Sequence, residues 1–180
     1  VDLISSWNEC TTLPKDLREK LNAEAPLELK AELFGSKTSE SQKALITFAD
    51  GAKIETLMLT HKDGRKTVCV SSQVGCTMGC RFCATGKMGR ERNLEVGEIV
   101  TQVLFFARHL KAIKDEHPRI DNVVFMGMGE PFLNYDNMMG AIKILNDKDA
   151  LNIGARHISV STCGIIPGIK NFAAEPLQLN

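Results

Sequence analysis

Leu13, Leu17 and Leu21 recur at helical spacing behind Thr11-Thr12 and Pro14, which predicts a capped helix running to about Ala23. Alternation with a period of two then takes over in residues 27–34, 42–48 and 53–59, three predicted strands parted by Gly35-Ser36 and Asp50-Gly51. An Asp-Gly pair between alternating runs is a strong hairpin signal. A second turn, Lys62-Asp63-Gly64, leads into a strand over 67–71, so the front third reads as a small antiparallel unit. Helical spacing returns over 95–112, with Val96, Ile99, Val100, Val103, Leu104 and Ala107 forming one stripe. A short apolar run at 121–126, a helical stretch Tyr135–Asn146 and a strand at 157–161 complete a strand–helix–strand–helix–strand order. That order implies parallel strands and an α/β class.

Between the two regimes lies Cys76-Thr-Met-Gly-Cys80-Arg-Phe-Cys83. Three thiols spaced C-x₃-C-x₂-C in one loop can hold three corners of a 4Fe–4S cube and leave its fourth iron without a protein ligand. A small molecule can chelate that open iron, which suits an enzyme better than an electron carrier. Phe82 places an aromatic ring beside such a cluster, where it can pack on a bound cofactor. Structural zinc normally takes four ligands, and no fourth Cys or His follows Cys83 at finger spacing. Zinc and unliganded thiols remain the alternatives on spacing alone. The pattern C-x₃-C-x-Φ-C resembles the signature of the radical S-adenosylmethionine (radical SAM) superfamily. The resemblance implies a 4Fe–4S cluster on Cys76, Cys80 and Cys83, with S-adenosylmethionine on the open iron.

Composition narrows the setting. With 24% charged and 43% hydrophobic residues in 180, the chain is expected to be globular and about one domain long. Its longest apolar run, near Ile99 to Phe106, is broken by Thr101 and Gln102 and falls short of a membrane span. Six cysteines without a secretory signal in this sequence predict free thiols, a reducing cytoplasmic compartment and no membrane. A net charge of zero means that any RNA contact must come from a local patch. Val1 is not an initiator methionine, and the stretch after Ala174 shows neither a capped helix nor a closing strand, so a truncated chain is expected.

Active sites of α/β barrels sit at the C-terminal ends of the strands. The cysteine loop, the turn 127–131 and Ser161-Thr162 all fall there. Gly127-Met-Gly-Glu130-Pro can bring backbone close to a ligand and offer a carboxylate to an ammonium group. By itself, such a turn more often serves only to reverse the chain. Likewise Cys69 reads first as a buried core cysteine, Glu55 as a solvated strand-edge charge and Ser161 as a strand-end backbone cap.

Taken in order, Val68-Cys69-Val-Ser-Ser-Gln-Val-Gly-Cys76, Cys80-Arg-Phe-Cys83-Ala-Thr-Gly, Arg92-Asn-Leu, Gly127-Met-Gly-Glu-Pro with Asn134, and Ser161-Thr-Cys-Gly resemble a narrower family. It is that of the dual-specificity ribosomal and transfer RNA adenine-C2 methyltransferases; the related C8 resistance enzymes share much of the pattern. The resemblance runs from about Leu13 to Gly168. It implies the first part of a partial (β/α)₆ barrel over 67–180, an antiparallel β extension over 27–66, and over 1–26 the tail of a helical RNA-binding domain. It further implies that Gly129, Glu130 and Ser161 contact S-adenosylmethionine, that Cys69 resolves a protein–RNA adduct and that Glu55 accepts a proton. The implied partners are 23S rRNA, tRNA and an external electron donor, acting on a monomer. One departure matters: the family also uses a methyl-carrying cysteine far toward the C-terminus, and Cys163, in the Ser-Thr-Cys-Gly strand end, is in the wrong place for it. The rival readings are a different radical SAM enzyme and a non-catalytic iron–sulfur or RNA-binding fragment.

Overall fold

The computed structural model describes residues 3–36 and 40–180; residues 1–2 and 37–39, Val1 among them, lie outside the described residues. A six-stranded sheet forms the frame, in the order β1 (Lys30–Phe34), β2 (Ser41–Thr47), β3 (Lys53–Thr60), β4 (Lys66–Cys69), β7 (Asn122–Phe125), β8 (Ile158–Val160). β1 to β4 form an antiparallel meander, whereas β4–β7 and β7–β8 are parallel. β4 is therefore the hinge of the topology, antiparallel to one neighbour and parallel to the other. The Asp-Gly hairpin forms as expected: Gly51 takes φ +86°, and the Asp50 carboxylate accepts from the Ala52 N–H at 3.0 Å.

The helices follow the apolar stripes. α2 (Val96–Ala112) buries Ile99, Val103, Phe106 and Leu110, and α3 (Tyr135–Asn146) buries Met138, Ile142 and Leu145. Together with Ile46, Ile54, Val68, Val123, Phe125 and Ile158 from the sheet they make one core. Each such side chain removed from water contributes about 1.5–3 kcal/mol. Glu95 caps α2 through a reciprocal box with Glu98. Among the described residues no helix is long and apolar enough to cross a membrane.

Three features differ from expectation. α1 (Lys15–Glu24) begins behind Pro14 with no side-chain cap, so Thr11-Thr12 do not cap it. A side-chain cap is present one turn earlier, where Ser6 and Glu9 bracket a 3₁₀ turn at Trp7–Glu9. A two-stranded ribbon of β5 (Gln73–Cys76) and β6 (Gly89–Asn93) flanks the cysteine loop, and a short helix α4 (Ile166–Ala173) follows β8; neither was predicted. No strand follows α4 among the described residues, as expected, although the Asn180 N–H donates to Ile158 O at 3.1 Å and its carbonyl accepts from the Val160 N–H at 2.7 Å. That is a parallel-ladder pattern along the outer edge of β8.

Candidate functional site

Cys69 is the last residue of β4, and its sulfur accepts the backbone N–H of Met126 from the end of β7. Burial pushes its thiol above the ordinary value, with that amide pulling the other way. Beside it opens a cavity of about 260 Å³ lined by Lys43, Glu55, Cys69, Cys83, Met126 and Met128, among others. Glu55 reaches the cavity from β3 and pairs with Lys43 at 3.0 Å; both side chains are about half exposed. Such an exposed pair orients the carboxylate and contributes little stability. Two residues named as catalytic and one named as a cluster ligand thus border one cavity at the strand ends.

The run Val70-Ser71-Ser72-Gln73 after β4 packs against the turn that begins at Gly127. Ser71 is fully buried; its N–H donates to Gln102 Oε1 at 2.8 Å, and its carbonyl accepts from Gln102 Nε2 at 2.9 Å. Its hydroxyl donates to Glu55 O at 2.6 Å and accepts from the Met128 N–H at 2.9 Å. Met128 O in turn accepts from the Ser72 and Gln73 amides. The Gln73 side chain accepts the Glu130 N–H at 2.9 Å and donates to Asn93 Oδ1 at 2.7 Å. Asn134 closes the set by donating to Ser72 O and Leu94 O.

This network explains the glycines of the 127–131 turn. A Cβ at Gly127 would stand 2.7 Å from Val70 O, and one at Gly129 would stand 2.6 Å from the Gln73 Cβ, where φ is also +100°. Both are required by close packing of the turn against the chain's own run 70–73, rather than by a ligand on that side. Glu130 is 1% exposed. Its carboxylate accepts from the Phe132 N–H at 3.1 Å, the Thr162 hydroxyl at 2.8 Å and the Cys163 N–H at 2.7 Å. Three of roughly four acceptor positions are therefore filled, which leaves room for one further donor. Ser161 is exposed, its N–H donating at 3.4 Å to Phe125 O. Phe82 is 95% exposed and packs on nothing.

The cysteine loop is held at its base. Cys76 is buried opposite Gly89, and Gly75, at φ +74°, lies so close to Gly89 O that a side chain has no room. Cys83 accepts the amides of Gly86 and Thr85, which lower its thiol below the ordinary value. The Cys80 sulfur lies 3.5 Å from that of Cys163. Contact with Cys80, then burial, then the Glu130 charge push the Cys163 thiol up to about 12. Among the described residues no three His, Cys, Asp or Glu side chains gather as tightly as ligands of a single ion. A four-iron cube spreads its thiolates over separate corners. The donor set fits such a cube: three soft sulfurs on one loop, one with amide donors that favour the thiolate.

Sequence reasoning did not single out Gln73, Gln102, Asn93 or Lys43 as site residues. Gln102 carried a signal, as a lone amide inside the apolar stripe of α2, and Asn93 lay within the Arg92-Asn-Leu motif; Lys43 carried none.

Comparison with known proteins adds the following. The radical SAM superfamily profile matches residues 70–177. The chain is 47% identical to the probable dual-specificity RNA methyltransferase RlmN of Bacillus subtilis (strain 168), over 98% of this chain and 48% of the relative. It is 44% identical to the protein of the same name from Dictyoglomus thermophilum, over 98% of this chain and 50% of that one. A crystal structure of a radical SAM methyltransferase from Sphaerobacter thermophilus superposes with a TM-score of 0.90 at 43% identity, covering 99% of this chain and 52% of that one. The chain thus spans about half the length of the curated relatives it matches. Its cysteine loop, the mixed sheet beside it and the matched span of 108 residues (70–177) agree: the chain belongs to the radical SAM superfamily.

Proposed function

We propose that the chain carries the cluster and cofactor site of an RNA methyltransferase that acts on carbon 2 of an adenine in 23S rRNA and tRNA. The supporting observation is that Glu55, Cys69 and Cys83 line one cavity. Adenine C2, flanked by two ring nitrogens, is not nucleophilic, so direct polar transfer of a methyl cation has nothing to attack it. The cluster and S-adenosylmethionine, when bound, supply the one-electron chemistry that such a carbon requires. Cys76, Cys80 and Cys83 hold the cluster; Gly129, Glu130 and Ser161 border S-adenosylmethionine, with Phe82 free to cover it. Glu55, aimed by Lys43, takes the ring proton. Cys69 is kept as a neutral thiol by burial until it gives up its proton and attacks the protein sulfur of the adduct; a disulfide forms as the sulfur–carbon bond breaks, and the released carbon takes a proton to give the methylated base. The methyl-carrying cysteine of the family is not Cys163, whose sulfur faces Cys80.

Anaerobic reconstitution tests the reading. It should give about four irons per chain, and S-adenosylmethionine should change the reduced EPR signal. Alanine at Cys76, Cys80 or Cys83 should abolish assembly, whereas Cys10→Ala should not. In the full-length protein, Cys69→Ala should accumulate a covalent, nuclease-sensitive protein–RNA band on a denaturing gel. Free methylated RNA at normal yield from that variant would return Cys69 to a core role.

A further inference from the structure

Cys163 has no part in the proposed chemistry, yet it is an exposed thiol in sulfur–sulfur contact with Cys80. The 3.5 Å separation is close to van der Waals contact for two sulfurs, so a modest side-chain rotation would bring them to the roughly 2.05 Å of a covalent bond. The contact is held by more than chance rotamers. The backbone N–H of Cys163 and the Thr162 hydroxyl are both gripped by the buried Glu130 carboxylate, and Thr162 Oγ1 accepts the Gly164 N–H at 3.1 Å. On the other side, the Cys80 carbonyl accepts the Cys83 N–H at 3.0 Å, and Gly86 packs close enough that a Cβ there would stand 3.1 Å from Cys80 N. Neighbouring Cys83 is engaged elsewhere, by the amides of Gly86 and Thr85.

We propose that Cys80 and Cys163 are an oxidative modification site, joined in a reversible disulfide when the loop holds no cluster. The reagent is a low-molecular-weight disulfide, RSSR. One cysteine thiolate attacks a sulfur of RSSR and expels RS⁻, giving a mixed disulfide. The second thiol loses its proton to water and attacks the protein sulfur, expelling a second RS⁻. Two protein thiols are oxidised, RSSR is reduced, and two RSH are released. The bond occupies one of the three sulfurs assigned to the cluster, so oxidised protein should accept no iron until a thiol reductant restores it. That consequence depends on Cys80 being a cluster ligand; the disulfide itself does not.

The test uses the full chain, freed of iron and held anaerobically with glutathione disulfide. Free thiols are trapped at low pH by alkylation, and the linked peptides are mapped by mass spectrometry. The expected result is a main Cys80–Cys163 cross-link, with simultaneous loss of alkylation at both positions and recovery of both after dithiothreitol. Cys163→Ser should lose that cross-link while its untreated form takes up as much iron as the parent. A main Cys80–Cys83 or Cys76–Cys80 product, or oxidation of Cys163 only to a glutathione adduct, would overturn the proposal. Iron uptake by untreated parent protein is read separately: its absence would count against the cluster assignment and leave the cross-link result standing by itself.

Discussion

Glu130 is a buried carboxylate that accepts three hydrogen bonds from the end of β8 and the start of the 3₁₀ turn at Pro131–Asn134. Replacing it by glutamine keeps the shape but turns one acceptor into a donor that must face another donor. Glu130→Gln should therefore cost about 1–3 kcal/mol, read as a lower urea midpoint, while the cysteines still take up iron. Unchanged stability would mean that the carboxylate is not the tie between the two strand ends. The position was legible in the sequence as a candidate contact, because a carboxylate after Gly-Met-Gly invites a ligand. Its internal partners were not, since Thr162 and Cys163 lie more than thirty residues away and only the parallel pairing of β7 with β8 brings them over. Gln73 was illegible for the same reason: nothing in its neighbours announces a partner at Glu130 or Asn93.

At the scale of elements, periodicity was a good guide wherever an element has one wet and one dry side. Tyr135–Asn146 was predicted to its ends, and α2 to within one residue. β6, reading Gly-Arg-Glu-Arg-Asn, has no apolar face to betray it and exists because β5 pairs with it. α4 is eight residues with Pro167 inside its first turn, too short for a period to show. The start of β4 is fixed in another way, by Lys66. Its ammonium is nearly buried and meets Asp115, in the link between α2 and β7, at 2.8 Å. Burial pushes the Asp115 carboxyl up, but the Lys66 bond and the His117 amide outweigh it and hold the group below its ordinary value of 3.8. A carboxyl lowered by folding lends stability above its unfolded value and loses it as pH falls through the folded one. Asp115→Asn should thus cost about 3 kcal/mol near neutral pH by stranding the buried ammonium. The gap in urea midpoint between parent and variant should close as the pH is taken below 3.8. A gap that persists in acid would assign the effect to packing instead.

For the molecule as a whole, the sheet joins two kinds of connectivity at β4. From β1 to β4 every strand pairs with its neighbour in the chain, whereas β4 finds β7 only after an interval that holds the cysteine loop, the β5–β6 ribbon and α2. Closing a long interval costs more chain entropy than closing a hairpin, so the two halves should acquire structure at different times. During refolding, pulsed hydrogen exchange should find the amides of β2 and β3 protected before those of β7 and β8; simultaneous protection would mean that the crossover closes with the hairpins. The order bears on how metal is acquired. Until β7 docks, Cys76, Cys80 and Cys83 belong to a loose excursion of the chain, and iron delivered then would meet thiols without a fixed spacing. Docking of β7 brings the turn after it against the run 70–73 and so sets the base from which the loop projects. On the proposed cluster assignment, insertion should follow the docking of β7, a strand that carries none of the three cysteines.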